Sequence, residues 1–210
     1  MSADIPVGPQ RDSAYRTDIE GLRAVAVMVV VLHHLWPQLV PGGFIGVDVF
    51  FVISGYLITR IIRRDMDDGR FTFIGFYERR IRRLFPALLV VLGFVLVAGW
   101  YLLPPSDYLT TFRASAGTTL FAANLMFWRD LERGYFATDA KLNPLLHMWS
   151  LGIEEQFYLL FPIVLLLIHR YARRWLAHAL AAGFVLSLGL SVVMTPIKPV
   201  ASFFLLPTRA

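Results

Sequence analysis

Five apolar windows punctuate the chain, near positions 22–40, 44–62, 84–103, 148–169 and 176–195. Each is close to the roughly 20 residues an α-helix needs to cross the hydrocarbon core of a bilayer. The stretch 108–128, YLTTFRASAGTTLFAANLMFW, is apolar only toward its C-terminal end and carries Arg113 among threonine, serine and glycine. It reads as a sixth span or as a re-entrant segment, and the weak hydrophobicity of 108–118 favours a segment that does not cross. The pattern therefore predicts an all-α fold, a polytopic transmembrane helical bundle of five or six spans. Composition agrees: 57% of the 210 residues are hydrophobic and mean hydropathy is +0.59, too apolar for a soluble domain with a polar surface.

Charge gives this pattern a direction. The chain carries 20 Lys and Arg against 15 Asp and Glu, a net charge of +5. Arg60 closes the second apolar window, and Arg63, Arg64, Arg70, Arg79, Arg80, Arg82 and Arg83 lie between it and the third. Basic residues collect in cytoplasmic loops, so this loop and the N-terminus are expected on the cytoplasmic side. The positive charge then meets membrane lipid headgroups, and no basic run interleaved with aromatics points to nucleic acid. Residues 1–20 are polar, contain Pro6 and Pro9 and lack the apolar centre of a signal peptide, which makes them a cytoplasmic tail before a membrane domain over 21–210. If 108–128 does not cross, Arg170, Arg173 and Arg174 fall inside, and 129–147, with Asp130, Glu132 and Asp139, falls outside. If it crosses, the two assignments swap. The absence of cysteine excludes disulfides, thiol nucleophiles and Cys-ligated metals. Pro41-Gly42-Gly43 predicts a short turn between the first two spans, and Asn143 before Pro144 predicts a helix N-terminus ahead of the fourth.

Titratable side chains inside spans are costly and mark candidate sites. Arg23 and His34 are 11 residues apart, about 1100° of helix, so they share a face about 16 Å apart in depth. Arg23 then sits at the cytoplasmic mouth and His34 halfway through the membrane or beyond, while His33 points about 100° away. His34 lies shortly before the Pro-Gly-Gly turn and Asp48 shortly after it, so the two are expected at comparable depth in antiparallel helices. A carboxylate beside an imidazole fixes its tautomer and raises its basicity, as a general base requires. The plainer alternatives are an interfacial histidine reaching the outer headgroups and an aspartate that complements a helix dipole. Asp48, Val52, Gly55 and Thr59 fall on one face of the second span, a small and partly polar stripe for a partner helix or a substrate. Arg79, Arg80 and Arg83 are helical neighbours that can converge on a polyanion such as a nucleotide phosphate, or anchor the loop on anionic lipid. Glu154, Glu155 and Gln156 enter the fourth window consecutively, and His147, Glu154 and Tyr158 share a face if that helix is continuous. The alternative there is an amphipathic start with Trp149 in the interfacial belt.

Five segments, YRTDIEGLRAVAVMVVVLHH, GGFIGVDVFFVISGYLIT, FYERRIRRLFPAL, NPLLHMWSLGIEEQFYLLFP and FFLLPTRA, follow one another across nearly the whole chain. Together they resemble the signature segments of the acyltransferase 3 family, the bacterial membrane O-acetylases of polysaccharide and peptidoglycan. The family's Arg-x10-His pattern falls on Arg23 and His34, its Gly-Gly-Phe-x3-Asp pattern on Gly42, Gly43, Phe44 and Asp48, and its Arg-Arg-x-x-Arg pattern on Arg79, Arg80 and Arg83. Its Trp-Ser-Leu-x2-Glu-Glu-Gln-Phe-Tyr block falls on Trp149, Ser150, Glu154, Glu155, Gln156 and Tyr158, with His147 just ahead. The resemblance implies acetyl-CoA, or another acyl-CoA, as donor substrate bound from the cytoplasm through Arg23, Arg79, Arg80 and Arg83, with no resident cofactor and no metal. It implies a glycan hydroxyl of O-antigen, exopolysaccharide or peptidoglycan as acceptor, on the outer side of the bacterial inner membrane. His34, oriented by Asp48, Glu154 or Glu155, is expected to deprotonate that hydroxyl or to carry the acyl group.

Family members carry further spans, and many continue past an LLPTR segment into more helices and an extracytoplasmic SGNH domain. This chain is therefore expected to be the N-terminal half of such a protein, with polar helix faces left for absent helices to cover. Two other classes fit parts of the pattern. One is a transporter or proton-relay protein, since intramembrane His, Asp and Glu also line ion paths. The other is an inactive remnant that only associates with membrane partners. The Arg-Arg-x-x-Arg cluster discriminates against the ion carrier, because a nucleotide-containing donor needs it and a small ion does not.

Overall fold

The computed structural model describes residues 16–132 and 143–209. Most of the predicted N-terminal tail and the part of the 129–147 loop around Asp139 lie outside the described residues. Contacts divide the chain into two units, Met1–Ile53 and Ser54–Ala210, described separately below.

In the first unit, α1 (Thr17–Leu35) has Asp18 and Glu20 in its first turn and His33 and His34 in its last, the polarity that suits a helix dipole. Arg16 donates to Asp18 through Nε and Nη2 at 2.8 and 2.6 Å, and this pair pulls the Asp18 carboxyl down to about 2. Pro37 disfavours a helical Trp36, so the helix stops there, with the Trp36 N–H donating to Leu32 O at 2.8 Å. The predicted Pro-Gly-Gly turn leads into α2 (Ile45–Asp67). A Cβ on Gly43 would collide with Val29 O and lie 2.6 Å from His33 Cβ. One on Gly46 would collide with Ala26 O and lie 2.8 Å from Val30 Cγ2. The sequence Gly43-x-x-Gly46 thus lets the start of α2 press against the backbone of α1.

In the second unit, α2 ends at Gly69, whose φ is +66°. The Arg70 N–H returns to Asp65 O at 2.8 Å, closing the helix with the left-handed residue that glycine adopts at no steric cost. Thr72 caps α3 (Phe73–Leu102), its Oγ1 accepting from Gly75 N at 3.2 Å. The 30 residues of α3 extend about 45 Å, which exceeds the hydrocarbon core by about 15 Å. The helix can therefore cross with its apolar part and still hold its arginine-bearing first turns outside.

Residues 108–128 form no single helix. α4 (Pro105–Thr119) and α5 (Ala123–Glu132) are separated by a break at which Phe121 takes φ +54°. The Ala122 N–H reaches back to Gly117 O at 2.7 Å, the same closure as at Gly69, here imposed on a phenylalanine at a cost of about 1–2 kcal/mol. Hydroxyls of α4 satisfy themselves on their own helix: Thr118 Oγ1 donates to Ala114 O at 2.8 Å and Ser115 Oγ to Phe112 O at 2.7 Å. That is how side chains too polar for a lipid face come to be buried. At 15 and 10 residues, neither helix is long enough to cross alone.

A 3-10 turn at Leu146–Met148 precedes α6 (Trp149–Ala172), another at Arg173–Trp175 leads into α7 (Leu176–Ile197), and α8 (Pro199–Phe204) follows. Asn143 does not cap α6. Its Oδ1 accepts from Leu145 N at 2.9 Å and its carbonyl from Leu146 N at 3.0 Å, so it shapes the 3-10 turn instead.

Among the described residues, three stretches are long and apolar enough to cross a membrane: α2, α3 and the run Leu146–Ile197 that holds α6 and α7. This is an all-α membrane protein. The first predicted window runs past the end of α1 into the turn, and the charges of Asp18, Glu20 and Arg23 occupy that helix's first turns. Phe94 on α3 and Leu186 on α7 are 71% and 73% exposed, as lipid-facing side chains are. Inside the second unit, Ile58, Ile62, Phe76, Tyr158 and Leu165 join α2, α3 and α6. Leu88, Ala114, Phe127 and Phe204 join α3, α4, α5 and α8.

Candidate functional site

The first unit holds His34 and Asp48. The His34 ring is exposed and its Nδ1 lies 2.8 Å from Val30 O, one turn back on α1. A carbonyl only accepts, so Nδ1 carries a proton, and the neutral form of a ring so held has its lone pair on Nε2. A backbone carbonyl thus sets the tautomer that a carboxylate was expected to set. His33 behaves differently: its Nδ1 lies 2.8 Å from Val40 O, tying the end of α1 to the following turn. Its ring stands edge-on to Phe44 at 5.8 Å and to His34 at 5.6 Å. Gly42 O accepts from Ile45 N at 3.1 Å, and half-buried Asp48 sits in the first turn of α2. Arg23 reaches Glu20 Oε1 at 3.4 Å, and its guanidinium lies 5.0 Å over the Phe50 ring. The face running through Val52 and Gly55 is open, with Val52 exposed and nothing within 4 Å of a Cβ built on Gly55.

The second unit gathers charge from α2, α3 and α6. Arg80 grips Glu155 as a fork, Nε lying 2.9 and 2.8 Å from the two carboxylate oxygens and Nη2 2.6 Å from Oε1. Its guanidinium also lies 3.4 Å over the Tyr158 ring. Glu154 Oε1 accepts from Ser54 Oγ and from Tyr158 Oη, each at 2.6 Å, with Arg80 Nη2 3.9 Å away. Two adjacent carboxylates are tolerated at this depth because each is answered by a cation or by hydroxyl donors. Gln156 faces the other way, its Nε2 donating to Phe121 O and Asn124 Oδ1 at 2.9 Å each. Asn124 is fully buried and donates to Phe204 O at 3.0 Å. Gly152 makes room for it, since a Cβ there would lie 2.6 Å from Asn124 Oδ1.

The three motif arginines do not share one ligand. Arg80 is committed to Glu155, exposed Arg79 pairs with Asp65 at 3.1 Å, and exposed Arg83 makes no ion pair among the described residues. Glu154 and Tyr158 share a face as expected. His147 does not join that helical face, because it lies in the 3-10 turn before α6, where each residue turns through more than the α-helical angle. Its carbonyl accepts from Ser150 Oγ at 3.1 Å. Trp149 packs on Phe203 and Phe204 at 4.5 and 5.8 Å, with Arg209 5.7 Å over its ring, which binds the start of α6 to the closing FFLLPTR segment. Ser54 and Asn124 were missed from the sequence. Each is a neutral polar group in an apolar run, a weaker signal than the charge that singled out Asp48.

A family profile described as an acyltransferase domain matches residues 16–206. The O-acetyltransferase OatA of Staphylococcus aureus strain NCTC 8325 / PS 47 is 38% identical over 182 residues, covering 86% of this chain and 30% of the relative. A putative O-acetyltransferase, SAS0844, from Staphylococcus aureus strain MSSA476 is 40% identical over 152 residues, covering 72% of this chain and 25% of the relative. The chain spans less than a third of the length of these curated relatives. No solved structure matches it. The profile takes in all the candidate residues of both units, from Arg23 to Tyr158, and on that match the chain belongs to the acyltransferase 3 family.

Proposed function

We propose that this chain is the acyl-handling part of a membrane O-acetyltransferase. It takes an acetyl group from cytoplasmic acetyl-CoA and passes it to a glycan hydroxyl on the outer side of a bacterial inner membrane. The names of the relatives support the acetyl group and the oxygen acceptor. The observation that carries the reading is the His34 ring: exposed, held through Nδ1 by Val30 O, with Nε2 left as its basic nitrogen. In transfer, Nε2 takes the proton of the acceptor hydroxyl while that oxygen attacks the thioester carbon. The C–O bond forms, the C–S bond breaks, and the imidazolium returns the proton to the departing thiolate.

The test measures transfer from labelled acetyl-CoA in membranes containing this chain, and in Staphylococcus aureus OatA carrying this segment in place of its own aligned residues. His34→Ala is expected to lower transfer by about 100-fold or more with insertion unchanged. Full transfer in that variant refutes the reading.

The row Ser54, Glu154, Tyr158, Arg80 and Glu155, set on apolar helices, favours one second reading, a proton relay. Proton flux into dye-loaded liposomes that is lost in Glu154→Gln and indifferent to acyl-CoA would replace the transferase reading.

A further inference from the structure

The arginines around the loop between α2 and α3 outnumber those the site engages, and their ion pairs show which remain available. Arg80 is tied to Glu155, whose side chain is only 9% exposed, and drawing Arg80 away would leave a buried carboxylate unpaired. Arg63 and Arg173 share Asp67 at 3.8 and 2.8 Å. Arg70 binds Asp68, and Arg82 binds Glu78 at 2.7 Å. Arg60 and Arg64 are exposed and make no ion pair among the described residues. They stand one helical turn apart on α2, about 6 Å between Cβ atoms, and border a hollow of about 540 Å³ together with Tyr56, Thr59, Arg63, Asp67 and Asp68. That volume lies within the range of small-molecule and cofactor sites.

The chemistry of this hollow suits linked phosphates. Two guanidiniums a turn apart can each fork onto the oxygens of neighbouring phosphates. Half-exposed Tyr56, one turn before Arg60, offers a ring against which a base or an apolar arm can lie. Both lining carboxylates are already answered, Asp67 by Arg173 and Arg63, and Asp68 by Arg70. A lipid headgroup with a single phosphate uses one such cation, whereas a pair beside a hollow matches a polyphosphate.

We propose that Arg60 and Arg64, with Tyr56 beside them, bind the phosphates of a nucleotide-containing acyl donor, at a site separate from the Arg79, Arg80 and Arg83 motif. This inference rests on the acyltransferase reading and deepens it. The test uses the full 210-residue chain in nanodiscs of phosphatidylcholine, with labelled coenzyme A as probe. The double variant Arg60→Gln/Arg64→Gln is expected to bind it about tenfold more weakly or worse, with helicity unchanged. Arg60→Lys/Arg64→Lys restores part of the affinity, and Arg82→Gln leaves it alone. Discs containing phosphatidylglycerol are expected to give the wild-type affinity found without it. Coenzyme A bound equally by wild type and the glutamine double variant overturns the site and leaves the acyltransferase reading standing. Displacement of coenzyme A by phosphatidylglycerol assigns the surface to lipid and also overturns it. A wild-type chain that binds no coenzyme A in either disc overturns both.

Discussion

His33 Nδ1 and His34 Nδ1 each lie 2.8 Å from a backbone carbonyl, but the two carbonyls do different work. Val40 O belongs to the turn, so the His33 bond closes α1 onto the next segment. Val30 O belongs to the same helix, so the His34 bond closes nothing and only fixes the ring. His33→Gln should therefore cost about 1 kcal/mol in thermal unfolding and leave acetyl transfer intact, while His34→Ala should leave the melting curve nearly in place and remove transfer. Parallel melting and transfer assays on the two variants check this, and equal loss of transfer in both would refute the division. Spacing alone set His34 on the helix face of Arg23, but the ring's partner was not legible, because rotamer and carbonyl meet only once the helix end is built. Asn124 makes the same point from the buried side. Its amide binds Gln156 and Phe204 O across three helices, and Asn124→Ala should cost about 1–3 kcal/mol by stranding those groups. A melting temperature unchanged from wild type would show that the buried amide contributes nothing.

Between elements, the Arg80–Glu155 fork is the shorter of the two charged links from α3 to α6 seen among the described residues, the other running from Arg80 to Glu154. Buried pairs behave asymmetrically: breaking one side strands a charge, while replacing both sides with apolar groups restores packing. Arg80→Met and Glu155→Met should each cost about 3–5 kcal/mol in detergent, and the double variant less than either alone. Chemical unfolding of the three proteins decides it, and costs that simply add would mean the pair carries no coupling. Helix positions were legible wherever apolar runs were long, as for α2, α6 and α7. The stretch 108–128 resisted, because its hydroxyls bond within α4 and its break at Phe121 depends on a carbonyl that Gln156 holds from another helix. No local pattern announces either feature. Gly43 was visible as part of a turn and Gly46 carried no signal of its own; their shared role, admitting α2 to the backbone of α1, needed both helices in place.

For the molecule as a whole, the helix break at Phe121 bears on how the chain threads the bilayer. With α4 and α5 about 22 and 15 Å long, 108–128 does not cross as one helix, and of the two sequence-based topologies this favours the one with five crossings. On that scheme the loop after α2 and the corner at Arg173–Trp175 face the cytoplasm, while the α3–α4 corner and the α7–α8 junction face outward. The chain has no cysteine, so a single introduced thiol reports its own position without background. Arg70→Cys and Arg174→Cys are expected to resist an impermeant maleimide added to intact cells and to react after the membrane is opened. Ser106→Cys and Lys198→Cys are expected to react at once. If 108–128 crossed, Arg70 and Ser106 would keep their sides while Arg174 and Lys198 exchanged theirs. The second pair therefore decides the topology and the first pair validates the assay. The outcome also bears on chemistry, because only the five-crossing scheme puts Arg60, Arg64 and Arg173 on one side, where a single cytoplasmic donor could meet the first two while Arg173 neutralises Asp67 beside them.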